Sequence, residues 1–256
     1  MAHATKILFD GKHAVGVAYQ HDKISKTVYA GKEIILALGA LKSPQLLQLS
    51  GVGRADSITP HGIKMVHELA GVGQNLQDHL DFTLSYKTRD TNNFGIGFLG
   101  AARLTAAIFN WWRTGKGMIA TPFAEGAAFL KTDPSLDRPD IQLHFVIAVV
   151  DDHVRRLHLG YGYSCHVCVL RPHSRGTVTL QNANPMADPA IDPQFLSDRR
   201  DLETMIKGAR MTRQILQTKP LVSYAKQELF GVKDHMTDTE WERHIRARAD
   251  TIYHPV

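Results

Sequence analysis

The chain has 256 residues, 43% hydrophobic and 21% charged, a globular composition long enough to bury a substantial core and unlike that of a disordered segment. Its formal net charge is +5, but the cations are dispersed; the densest cluster, Arg243 to Arg248, lies in a helical pattern and reads as a solvated face, which argues against nucleic-acid binding. Two cysteines exclude a disulfide framework, and no run of about twenty apolar residues is present to span a membrane.

The first residues, Met1-Ala-His-Ala-Thr-Lys6, lack the charged start and apolar core of a signal peptide. Strands are predicted from Lys6 onward on both sides of an Asp10-Gly11 turn, a hairpin signal. Another follows from Lys26 to Tyr29. Glu33 to Leu38 is apolar on both faces and predicts a strand buried in a layered sheet. Next comes a short helix from Ser43, a capping residue, with Pro44 at its first position and Gly51 at its stop. A strand, a glycine turn at Gly39-Ala40 and a capped helix can hold an anionic or polar cofactor group, although many such units hold none.

Downstream, Ala101 to Arg113 predicts a helix ending at Gly115, with Trp111 and Trp112 in a core or interface. Gly95-x-Gly97-x-x-Gly100 follows no buried strand and reads as a loop. Ile141 to Val150, Tyr163 to Leu170 and Gly176 to Leu180 predict strands. Cys165 and Cys168, three apart on a strand, face opposite sides, and no second Cys/His pair follows, so no metal site is expected. Asp198 to Gln217 is an amphipathic helix with Leu202, Met205, Ile206, Ala209 and Leu216 on or near one face. Thr237 to Arg248 is another, with Asp238 and Glu240 at its positive end. Together these elements predict an α/β part joined to an α+β part.

Four segments carry a family resemblance. Gly39-Ala-Leu-Lys-Ser-Pro-Gln-Leu-Leu-Gln-Leu-Ser-Gly-Val-Gly53 resembles a signature of the glucose–methanol–choline (GMC) flavoenzymes. Gly71-Val-Gly-Gln-Asn-Leu-Gln-Asp-His79 resembles a second block of that family. Leu170-Arg-Pro-His-Ser-Arg-Gly-Thr-Val-Thr-Leu180 resembles the start of its C-terminal half, and Thr251-Ile-Tyr-His-Pro-Val256 a block near its end. The order matches as well, and Tyr161 to Leu170 is most similar to the choline dehydrogenase and FAD-dependent alcohol dehydrogenase branch.

The resemblance implies part of an FAD-binding Rossmann-like domain over residues 1–81. Residues 82–256 would form an antiparallel-sheet substrate domain and, from about 170, the start of the C-terminal region. It implies FAD as cofactor, a small alcohol as substrate, and a quinone-like compound or oxygen as electron acceptor. The implied location is cytoplasmic, with peripheral association at the inner membrane as an alternative. No oligomeric state follows.

His254 is the implied catalytic base, since an imidazole with an ordinary pKa of about 6.5 can take a hydroxyl proton near neutrality. Ala4, through its backbone, together with Gly39, Ala40, Ser43, Asn75, Asp78 and His79 would line the cofactor. Asn75, Gln77 and Asp78 read equally as a self-bonded turn. Glu125 could face a cationic substrate such as choline, or be a surface carboxylate. The family's Gly-x-Gly-x-x-Gly turn and its second active-site residue beyond His254 have no counterpart here, so these 256 residues alone are expected to be inactive. A lyase of the same fold is the rival chemistry.

Overall fold

The structure, a computed structural model, describes residues 2–151 and 155–255. In chain order the first elements are β1 (Ala2–Asp10), β2 (His13–His21), β3 (Ile24–Tyr29), α1 (Gly39–Leu49), β4 (Val52–Gly53), α2 (Ala55–Ile58) and β5 (His67–Glu68). Then follow β6 (Leu80–Thr88), β7 (Gly95–Ile96), α3 (Phe98–Thr114), β8 (Ala124–Leu130), β9 (Ile141–Val146) and β10 (Gly160–Val169). The last are β11 (Thr177–Thr179), β12 (Ala190–Asp192), α4 (Arg199–Leu216), β13 (Ala225–Glu228), α5 (Asp238–Arg248) and β14 (Asp250–Thr251). They form two compact units that alternate along the chain: Met1–Asp78, Ser174–Ser197 and His254–Val256 in one, His79–His173 and Asp198–Tyr253 in the other.

In the first unit β1, β2 and β3 make an antiparallel sheet. Asp10 pairs with His13 across the turn, and Gly11 takes φ 57°, the left-handed conformation that a tight hairpin demands of one residue. Helix α1 packs on β1, where Ser50 Oγ accepts the Ile7 amide at 2.8 Å. Its buried glutamines hold the returning segment: Gln48 Nε2 donates to the Val178 carbonyl and Gln45 Nε2 to the Ala187 carbonyl, both at 2.8 Å. Gly73 donates its small size here as well, since a Cβ would strike the Val178 carbonyl.

Two expectations in this unit fail. Glu33 to Leu38 is not a strand, and among the described residues no strand pairs with it; Ile35 is 78% exposed. Apolar character on both faces predicts a sheet interior, but a strand exists only where a neighbour supplies the ladder. Helix α1 starts at Gly39, not Ser43, and Pro44 lies inside it. Ser43 does not cap the helix: its Oγ accepts the Leu38 amide at 3.2 Å and closes the preceding turn.

The second unit is built on a seven-stranded sheet of order β13-β6-β10-β9-β8, with β14 also on β6 and β7 on β10. Every pairing in it is antiparallel. Strand alternation sorts its two faces. Phe82, Leu84 and Tyr86 of β6, Cys165 and Val167 of β10, and Ile141 and Leu143 of β9 form the apolar face, all buried. Helices α4 and α5 cover it, with Trp241 edge-on to Phe82. Helix α4 is capped by Asp198 and buries Leu202, Met205, Ile206, Ala209 and Leu216, as the sequence pattern predicts. Arg213 of α4 pairs with Glu228 of β13 at 2.8 Å, and Tyr86 OH donates to the same carboxylate at 2.8 Å.

Cys165 and Cys168 are buried on opposite faces of β10, and burial pushes both thiols up to about 12. Gly95, Gly97 and Gly100 do not form a free loop. Gly95 lies in β7, Gly97 caps α3, and Gly100 is buried against the Gly95 backbone, a contact closed to any side chain. Trp111 and Trp112 are exposed, not core.

Candidate active site

The Gly71–Asp78 segment of the first unit is shaped by residues that tolerate unusual backbone. Gly73 takes φ 74° and Asn75 φ 65°, the left-handed region that Gly and Asn enter at least cost. Leu76 then bridges to Gly176 by two backbone hydrogen bonds, of 3.0 and 2.8 Å. That pairing turns Asp78 inward, where it is buried, and its Oδ1 accepts the backbone N–H of His254 at 3.1 Å. The amide of His254 is therefore fixed while its side chain remains exposed. Asn75 is exposed, and its carbonyl accepts a long hydrogen bond from Gln77 at 3.4 Å.

Other candidates of this unit lie at two places. Ala4 is half-buried on β1 and pairs with Tyr19, next to a register shift that leaves Thr5 outside the regular ladder. Gly39, Ala40 and Ser43 lie on the first turns of α1. Gly39 takes φ 81°, is exposed, and has nothing within 4 Å of where a Cβ would project. No side chain caps the helix start. An open backbone at a helix start suits a polar or anionic group of a ligand. A groove of about 400 Å³ lined by Ile7, Phe9, Ile34, Leu36, Leu47 and Val52 is mainly apolar, with Lys12 and His67 also in its lining.

In the second unit, His79 Nε2 donates to the Leu170 carbonyl at 3.0 Å, so that nitrogen carries the proton. The His79 carbonyl accepts the Ile252 amide at 3.1 Å, next to β14, which pairs Asp250 with Asp81. On the polar face of the sheet, Asp81 Oδ2 accepts from His166 Nδ1 at 2.5 Å. Asp81 is 2% exposed and His166 9%. Thr83 lies across the ladder from His166, with its Oγ1 3.2 Å from Nδ1. Next to this pair, Ser85 and Ser164 hydroxyls meet at 2.7 Å. The sequence reading names none of these five residues. A buried carboxylate that holds one imidazole nitrogen fixes the ring's tautomer and orientation.

Glu125 is exposed on the edge strand β8, at a register shift between Ala124 and Gly126. Among the described residues no hydrogen bond or ion pair links it to another candidate. No cluster of three or more His, Cys, Asp or Glu suited to a metal occurs among the described residues.

Comparison with known proteins follows the same blocks. Residues 1–81 match the N-terminal part, and residues 172–256 the C-terminal part, of the family described as GMC oxidoreductase. The chain is 44% identical over 259 aligned residues to the alcohol dehydrogenase [acceptor] of Pseudomonas putida, covering 100% of this chain and 47% of that protein. It is 37% identical over 252 residues to the mitochondrial choline dehydrogenase of Homo sapiens, covering 98% of this chain and 42% of that one. Among solved structures, formate oxidase superposes with a TM-score of 0.90 at 23% identity, over 100% of this chain and 50% of the other. Pyridoxine 4-oxidase from Mesorbium loti gives 0.82 at 23% identity, over 99% and 46%. The chain thus spans about half the length of the curated relatives it matches.

Proposed function

The chain belongs to the GMC oxidoreductase family, and from that premise we propose that the protein oxidises a primary alcohol to the aldehyde with FAD, His254 serving as base. The observation that carries this reading is the anchoring of His254: a buried carboxylate, Asp78, holds its amide while the imidazole stays accessible. A base must be held in place yet reach its substrate, and an anchored backbone with an exposed side chain supports that role. His254 would take the hydroxyl proton as the alcohol loses its hydride. FAD, when bound, supplies the hydride acceptor.

Within the same reading, residues 1–81 belong to the cofactor part and 82–256 to the substrate part and the start of the C-terminal region. The backbones at Ala4, Gly39 and Ala40 and the polar groups of Ser43, Asn75, Asp78 and His79 would hold the cofactor. The electron acceptor would be a quinone-like compound or oxygen, and the location cytoplasmic or peripheral at the inner membrane. Glu125 would serve a cationic alcohol such as choline.

Full-length protein tests the reading through its denatured absorbance spectrum and through dye reduction with a panel of primary alcohols, choline included. Released flavin and alcohol-driven reduction are expected. Alcohol oxidation with NAD and no released flavin would overturn it.

A further inference from the structure

Helix α3 is turned outward. At about 100° per residue, Trp111, Leu104, Ile108, Trp112, Phe98 and Phe109 fall on one arc, and Arg103, Asn110 and Arg113 on the other. A helix of a globular protein buries the first arc. Here all six are exposed, Phe98 by 90% and Trp112 by 75%, and Leu99 on the other arc is 66% exposed. Gly100 is the one buried residue of the helix.

The surrounding charge is as one-sided as the helix. Residues 91–124 contain no Asp or Glu, while Arg103, Arg113 and Lys116 supply three cations. Arg113 lies over the Phe109 ring, 5.9 Å from its centre, which places a cation at the border of the apolar arc. Paired indoles and a phenyl ring flanked by Arg and Lys, without acidic residues, suit the headgroup boundary of an anionic bilayer. The mainly apolar groove of the first unit differs in kind: its lining includes six branched aliphatic residues and no indole, the surface that protein packing covers. Among the described residues no helix is long and apolar enough to cross a membrane, so α3 would lie along a bilayer rather than through it.

We propose that the apolar arc of α3 docks the protein on an anionic lipid surface. The helix would lie in the membrane plane, with Trp111, Trp112, Phe98 and Phe109 in the acyl boundary and Arg113 and Lys116, at its border and its end, against lipid phosphates. This gives the peripheral attachment of the preceding section, on which it rests, a specific surface.

The test uses the full chain with vesicles of phosphatidylcholine containing a quarter phosphatidylglycerol, and with pure phosphatidylcholine vesicles. Trp241 is buried, so a shift in tryptophan emission on adding vesicles reports mainly on α3. The wild type should float with the anionic vesicles and shift to shorter wavelength. A Trp111→Ser/Trp112→Ser variant, unchanged in circular dichroism, should bind roughly tenfold more weakly or worse, and Arg113→Glu/Lys116→Glu should lose the preference for anionic lipid. Binding undiminished in the tryptophan variant would overturn the role of α3 while leaving peripheral attachment standing. Absence of vesicle binding by the wild type would sink both. A dimer that the tryptophan variant dissociates, with no vesicle binding, would mean that a second copy covers this face.

Discussion

His254 is the residue on which the chemical reading can be tested most directly. Its amide is held by Asp78 and the residue is exposed, so His254→Gln should leave the fold and bound flavin intact. Turnover of full-length protein should fall by roughly 10² or more, the usual cost of losing a general base. Turnover near wild type would place the base elsewhere. His254 is a candidate on sequence grounds because Tyr-His-Pro-Val is a local motif. The Asp81–His166 pair was not, because its members stand 85 positions apart and meet only through the β6–β10 register.

Another histidine makes a prediction about stability. His244 stacks edge-on against Phe82, and its Nε2 is buried without a hydrogen-bond partner among the described residues. Burial first, and the charge of Arg248 second, lower its pKa from the ordinary value. The unfolded chain therefore binds this proton more readily than the folded one. The associated stability is full above the ordinary imidazole range and is lost as pH falls through that range towards the lower folded value. His244→Leu removes both the titration and the orphaned nitrogen, and should gain about 1 kcal/mol near neutrality and more in acid. Thermal unfolding at pH 5 and pH 8 checks this; a variant with the wild-type pH dependence would refute it.

Elements were readable where a pattern is self-contained. Helix α5 carries its own signal in Thr237 and Glu240, which form a reciprocal capping box. Strand β6 carries one too, Leu-Asp-Phe-Thr-Leu-Ser-Tyr-Lys alternating from Leu80 to Lys87, although it is not among the predicted strands. Strand β8, rich in Ala and holding a Gly, has weak strand propensity and exists through its ladder with β9. Glu33 to Leu38 shows the converse, strand character without a ladder.

The contact between α4 and the sheet is close enough to explain a glycine inside a helix. A Cβ at Gly208 would lie 3.0 Å from Val167 Cγ2 and 3.2 Å from Ile141 Cγ2. Ala at this position meets side chains that can shift a little, and gains helix propensity of about 1 kcal/mol, so Gly208→Ala should change stability little. Gly208→Leu must lift the helix from β9 and β10 and should cost about 1–3 kcal/mol. Urea unfolding of the two variants should separate them; equal midpoints would show that α4 does not pack through Gly208.

At the scale of the whole molecule, the family and the mixed class were legible because four motifs keep their order. The alternation of the two units was visible only in outline, since the return of Ser174–Ser197 to the first unit depends on Gln45, Gln48 and Leu76 bonding to partners about a hundred positions or more away. The exposed apolar surface of the first unit leads to a last prediction. Ile35 and Leu38 are exposed on a segment without a ladder, and the groove lined by Ile7, Phe9, Leu36 and Leu47 lies open. Such surface on a soluble unit binds apolar dyes and favours association. The chain also spans about half of its curated relatives. A protein limited to these 256 residues should therefore bind an anilinonaphthalene dye strongly, retain no stoichiometric FAD and reduce no dye with alcohols. A form extended to the length of those relatives should bind the dye weakly and hold its flavin. Stoichiometric FAD and steady turnover in the 256-residue form would show instead that these residues make a self-sufficient flavoprotein, with the open groove as part of its working surface.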